Sequence, residues 1–91
     1  MLAVTECAKE ELKRMLSAKV DNPQAGLRLT PSSPNKFALS IDIEMAGDQV
    51  VMHEGSKVLL IEKGLAASLT GLTLDLEDTP EGPEFVVLKG G

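Results

Sequence analysis

The spacing of the apolar residues changes once, near Gly26, and that change limits the folds open to this chain. Before it, Ala8, Leu12, Met15 and Leu16 recur at helical spacing and predict a helix with one buried stripe. Val4-Thr5 reads as the entrance, with Thr5 capping free backbone N–H groups and Glu6 at the positive end of the helix dipole. Glu10 and Arg14 stand one helical turn apart and predict an ion pair on the wet side. Asp21-Asn22-Pro23-Gln24-Ala25-Gly26 stops the helix and turns the chain.

After Gly26 the period is two. Leu27 and Leu29 alternate with Arg28 and Thr30, and Pro31-Ser32-Ser33-Pro34-Asn35 reads as a loop. Phe37, Leu39, Ile41 and Ile43 then alternate with Ala38, Ser40, Asp42 and Glu44, which predicts a strand with one buried and one wet face. Ala46-Gly47-Asp48 turns into a strand over Gln49–His53, Glu54-Gly55 reads as a hairpin turn, and Lys57–Glu62 is a strand apolar on both faces. A short helix over Lys63–Leu69 follows. Leu72, Leu74 and Leu76 alternate with Thr73, Asp75 and Glu77; a loop over Thr79–Pro83 precedes a last strand, Phe85–Leu88. Helical crossovers of the kind a parallel sheet uses are missing, so the strands are expected to pair antiparallel. The expectation is a β-rich α+β domain occupying residues 1–91 as one unit, without internal repeats.

Apolar residues make up 43% of the chain, enough for a small core, but with no Trp or Tyr and only Phe37 and Phe85 that core must be aliphatic. Few aromatic rings also means no platform on which single-stranded bases could stack. The net charge is −5 and is uneven: residues 1–36 carry six basic and four acidic groups, residues 37–91 three and ten. Such a chain is expected to bind neither nucleic acid, which needs clustered Lys and Arg, nor an anionic membrane. Its acidic half suits a basic protein partner. Cys7 is the sole cysteine, so no internal disulfide can form. Charged residues interrupt the N-terminal segment at once, and the longest run of large aliphatics is Val58-Leu59-Leu60-Ile61, far short of a membrane span. The expected location is the cytoplasm.

Two residues are candidates for chemistry. Cys7 lies near a helix N-terminus, which favours an anion, and could serve as one ligand of a shared site or as a plain surface or packing residue. His53 is the only histidine and has no second His or Cys near it in sequence, as a metal site would require. Asp75, Glu77, Asp78, Glu81 and Glu84 do not fit a calcium loop and read as carboxylates that keep a sheet soluble. No glycine-rich phosphate loop occurs, and Ser32, Ser33 and His53 suggest no catalytic triad. The chain is not expected to be an enzyme, and no cofactor is expected.

A succession of phrases carries a family resemblance. Val4-Thr5-Glu6 leads through Ala8-Lys9-Glu10-Glu11-Leu12-Lys13 to Gly26-Leu27-Arg28-Leu29, then Phe37-Ala38-Leu39-Ser40-Ile41-Asp42 and Gly47-Asp48-Gln49-Val50-Val51. His53-Glu54-Gly55-Ser56-Lys57-Val58-Leu59 then runs on to Leu69-Thr70-Gly71-Leu72-Thr73-Leu74-Asp75. Over nearly the whole chain this resembles the HesB/IscA family, the A-type carriers of iron–sulfur cluster assembly. The resemblance implies a β-sandwich-like domain of short mixed strands with an N-terminal helix and one short internal helix. Carriers of that family hold iron or a cluster with three cysteines, one between the first two strands and two in a Cys-Gly-Cys near the C-terminus. The first falls at or near Ser32 here; no cysteine stands near Lys89-Gly90-Gly91, and Cys7 matches none of the three. The resemblance therefore implies a divergent member without the cluster site. It would play an accessory or protein-binding role near iron–sulfur or sulfur metabolism, as a monomer or a homodimer. Two other readings stand beside it. One is weak iron or cluster binding through Cys7, His53 and carboxylates across a dimer interface. The other is a minor activity in a pocket between the Pro31–Lys36 loop and His53.

Overall fold

The structure, a computed structural model, describes residues 1–33 and 36–89, with the side chains of 33 and 36 outside that description. In chain order the elements are β1 (Ala3–Val4), α1 (Glu6–Lys19), β2 (Ala25–Ser33), β3 (Lys36–Ile43), β4 (Gln49–His53), β5 (Ser56–Ile61), α2 (Lys63–Ser68), β6 (Leu72–Thr79) and β7 (Gly82–Lys89). The α+β, strand-rich class is as expected. Thr5 caps α1 as its sequence position indicates: its hydroxyl accepts from the Ala8 N–H at 3.3 Å and donates to Asp75 Oδ1 at 2.7 Å. Asp75 is thus no free solvating carboxylate. Its affinity for a proton is lowered by the Thr5 hydroxyl and then by the Leu76 N–H, and it ties the start of α1 to β6. On the wet side, Arg14 pairs with Glu11 rather than with Glu10.

The strands form two sheets, ordered β1-β6-β7 and β3-β2-β5-β4. Contrary to the antiparallel expectation, β1 runs parallel to β6 and β2 parallel to β5. The return from β2 to β5 is made through β3 and β4, so strands supply the length that a helix supplies in a βαβ unit. β2 also extends through Pro31 to Ser33, where a loop is expected. β5 pairs only with Leu27–Leu29, which leaves Pro31 beyond its reach, where a missing N–H costs the ladder little. Positions 34 and 35 of the expected loop lie outside the described residues. The loop at Thr79–Pro83 shrinks to Pro80 and Glu81, because the Thr79 hydroxyl donates to the Gly82 carbonyl at 2.6 Å and accepts from the Glu81 N–H at 3.3 Å.

Leu12 and Leu16 of α1 pack with Leu27 and Leu29 of β2, Leu59 and Ile61 of β5 and Leu74 of β6. Met15 is only partly buried, at the rim of the predicted stripe. β5 is buried on both faces, with Val58, Leu59, Leu60 and Ile61 all at 0% exposure. Leu60 fits because β2 offers Gly26 beside it: a Cβ there would stand 3.1 Å from Leu60 Cγ and 3.3 Å from the Lys57 carbonyl. Burying each such aliphatic side chain contributes about 1.5–3 kcal/mol. β3 departs from expectation. Leu27 faces Ile41 and Ala25 faces Ile43 in the ladder, yet Ile41 is 43% and Ile43 54% exposed. The apolar face of the sheet reaches past the cover that α1 and the second sheet provide. Among the described residues no helix is long and apolar enough to cross a membrane.

Candidate functional site

Cys7 occupies the first turn of α1 and is exposed. His53 closes β4, where the chain reverses through Glu54 and Gly55, both with positive φ (51° and 80°). Two left-handed residues in succession make the tight hairpin turn that suits the twist of the flanking strands. The imidazole is mostly shielded between two carboxylates, with Nδ1 3.7 Å from Glu6 Oε2 and Nε2 3.5 Å from Glu54 Oε1. The Lys13 ammonium donates to Glu54 at 3.1 Å, and chiefly through that hydrogen bond it holds the Glu54 carboxyl below its ordinary range. α1 thus sets Glu6 and Lys13 along the β4–β5 turn, and the segment that carries Cys7 neighbours the segment that carries His53.

Ser32 lies elsewhere. It sits on β2 beyond Leu29, exposed, at the register irregularity between Pro31 and Ser33. Leu29 aligns with Ile61 at the end of β5, while His53 faces Ser56 at its beginning. About eight strand residues, roughly 25 Å, therefore separate the levels of Ser32 and His53. Among the described residues, Pro31 and Ser32 of the expected pocket stand at the opposite end of the sheet from His53, because β2 runs parallel to β5; residues 34 and 35 lie outside the described residues. The side chain of Lys36 lies outside the described residues. Among the described residues no group of three His, Cys, Asp or Glu side chains is placed to hold a metal ion.

The alternation that marked the wet face of β2 missed the strongest polar cluster. Arg28 enters there only as the polar partner of Leu27 and Leu29 in the alternation, and only 12% of its side chain is exposed. Its Nη1 and Nη2 donate to Asp48 at 3.2 and 2.7 Å, Nε donates to Asp42 at 2.5 Å, and Nη2 also donates to the Ile43 carbonyl at 3.1 Å. Asp48 also accepts from the Met45 N–H at 2.7 Å, which folds the β3–β4 connection over the sheet. The hydrogen bonds from Arg28, and then that from Met45, keep Asp48 ionised to lower pH than usual. For Asp42 the adjoining Ile43 N–H is the larger cause and Arg28 the second. The available signal was diagonal: Arg28 faces Ser40 in the ladder, which sets Asp42 within reach on the same face. Gln49 was likewise missed. Its amide accepts from the Leu2 N–H at 3.0 Å and donates to the Leu2 carbonyl at 2.8 Å, tying the N-terminal segment to β4.

No protein-family model matches the chain. An uncharacterized protein in the nifU 5′ region of Azotobacter vinelandii is 36% identical over 94 residues, covering 98% of this chain and 86% of that one. A protein of the same description from Cereibacter sphaeroides is 29% identical over 99 residues, covering 100% and 92%. Among solved structures, Escherichia coli SufA, involved in biosynthesis of iron–sulfur clusters, superposes with a TM-score of 0.73 at 19% identity, over 97% of this chain and 84% of SufA. IscA with a [2Fe-2S] cluster gives 0.64 at 21% identity, over 98% and 85%. The chain belongs to the family of these nifU 5′-region proteins, and it is a divergent member of the HesB/IscA-like fold with a single cysteine, on α1.

Proposed function

We infer that this protein keeps the architecture of an iron–sulfur carrier without its ligand set, and that it works without catalysis, through protein contacts close to iron–sulfur or sulfur metabolism in the cytoplasm. The observation that supports this most is the place of its thiol. Cys7 stands in the first turn of α1, while Ser32, where the resemblance puts a ligand, lies beyond Leu29 on β2. Clusters take thiolates as their main ligands, and a serine hydroxyl stays protonated at neutral pH. These 91 residues offer one thiol, so even a dimer brings only two. The surplus of carboxylates over residues 37–91 favours a basic protein partner.

One observation favours a second reading, weak iron or cluster binding through Cys7 across a dimer: the thiol is exposed and follows Glu6, whose carboxylate lies 3.7 Å from His53. Anaerobic incubation with ferrous iron and sulfide, then desalting, visible absorption and iron analysis, separates the two. The first reading expects a flat visible spectrum and no retained iron. A chromophore that the wild type keeps and Cys7→Ser loses would replace it with the second.

A further inference from the structure

Among the described residues the two sheets have four edge strands, and three carry features that discourage a further strand. β1 has two residues. β7 contains Pro83, Glu84 and Lys89. β4 is short, has a register shift between Val51 and Met52, and its Gln49 side chain is bound to Leu2. β3 is different. It pairs with β2 on one side only, and after its first residue, Lys36, it holds no Pro, Gly or Lys. Its one charge there, Asp42, is neutralised from within by Arg28. Its core-side row ends in Ile41 and Ile43, about half exposed. An open edge of this kind is a template for another strand.

We propose that β3 is the interface of a homodimer, in which two copies pair antiparallel about a two-fold axis at Ser40 and join their four-stranded sheets into one. The residues themselves select a second copy as the occupant. In a strand paired with itself about Ser40, Leu39 meets Ile41, Phe37 meets Ile43, and Ala38 meets Asp42. On the core-side row apolar side chains then lie only against apolar ones, and no carboxylate faces another. Each apolar row becomes continuous across the junction: Leu29 and Leu39 of one copy run into Ile41 and Leu27 of the other. The same patch serves both subunits, so the contact closes as a dimer and does not propagate.

Sedimentation velocity over a concentration series reaching about 1 mM, the weak end of specific association, reads the oligomeric state. The wild type is expected to shift from monomer to dimer. Ile41→Lys and Ile43→Lys, at exposed positions that leave the monomer core intact, are expected to stay monomeric with an unchanged circular dichroism spectrum. Met52→Lys, on the β4 edge, is expected to dimerise like the wild type. The register is read by cross-linking in a Cys7→Ser background with oxidised glutathione. Two Ser40→Cys chains are in direct opposition and close enough for a disulfide, whereas two Ala38→Cys chains are not. A wild type monomeric throughout, a dimer that survives both lysine substitutions, or equal cross-linking through positions 38 and 40 would each overturn the proposal.

Discussion

Arg28 and His53 each stand between two carboxylates in the same four-stranded sheet, but they do different things for the molecule. Asp48, the chief partner of Arg28, has only 2% of its side chain exposed; both partners of His53, Glu6 and Glu54, are open to water at 73% and 68%. Arg28 makes bidentate hydrogen bonds and holds backbone from β3 and the following connection. His53 makes contacts at the outer limit of ion pairing, between groups that water screens. The lesson is that the number of charges near a residue says little about its role; shielding and donor geometry decide it.

The largest effect that could break this contrast is Arg28→Ala. It strands a shielded Asp48, and about 2–3 kcal/mol of unfolding free energy is expected to disappear in urea titration. A loss no greater than that of a surface substitution would erase the distinction. The pH dependence should follow. Asp48 has a lower proton affinity folded than its ordinary value of 3.8, so its stabilising contribution is present above about pH 4 and is lost as the pH falls below that. The acid limb of stability is expected to be shallower in Arg28→Ala than in the wild type, by denaturant midpoints at each pH. Lys13→Ala, on the His53 side, should leave the midpoint at neutral pH unmoved. The smallest effect sharpens the comparison further. Glu54→Asn removes the partner of Lys13 but suits the positive φ of 51°, so a slight rise in melting temperature is expected. A clear fall would mean that the exposed cluster stabilises the turn.

Much of this was legible in the sequence, for identifiable reasons. α1 announces itself through Thr5, Ala8, Leu12 and Leu16, because a helix packed on one side writes its period into the chain. β5, read as Lys57–Glu62 and found at Ser56–Ile61, was legible because its middle, Val58–Ile61, is covered on both faces and has no polar positions. The parallel pairing of β2 with β5 did not show, because either direction gives the same alternation. The shielding of Arg28 did not show, because alternation reports which face a residue occupies, and not what folds back over that face. Ile41 and Ile43 looked buried for the same reason: the pattern identifies the apolar face, while the extent of its cover is set by α1 and the other sheet. At the candidate site, Cys7 and His53 could be picked out as residue types. The approach of Glu6 to His53, and the separation of His53 from Ser32, depended on the packing of α1 and on strand register.

The central claim is a carrier fold without carrier chemistry, and native mass spectrometry of protein purified anaerobically from iron-replete cells tests it most directly. The account predicts the mass of the 9.7 kDa chain and of its dimer, with nothing added. A dimer that carries the extra mass of iron and sulfide, and loses it in Cys7→Ser, would contradict it.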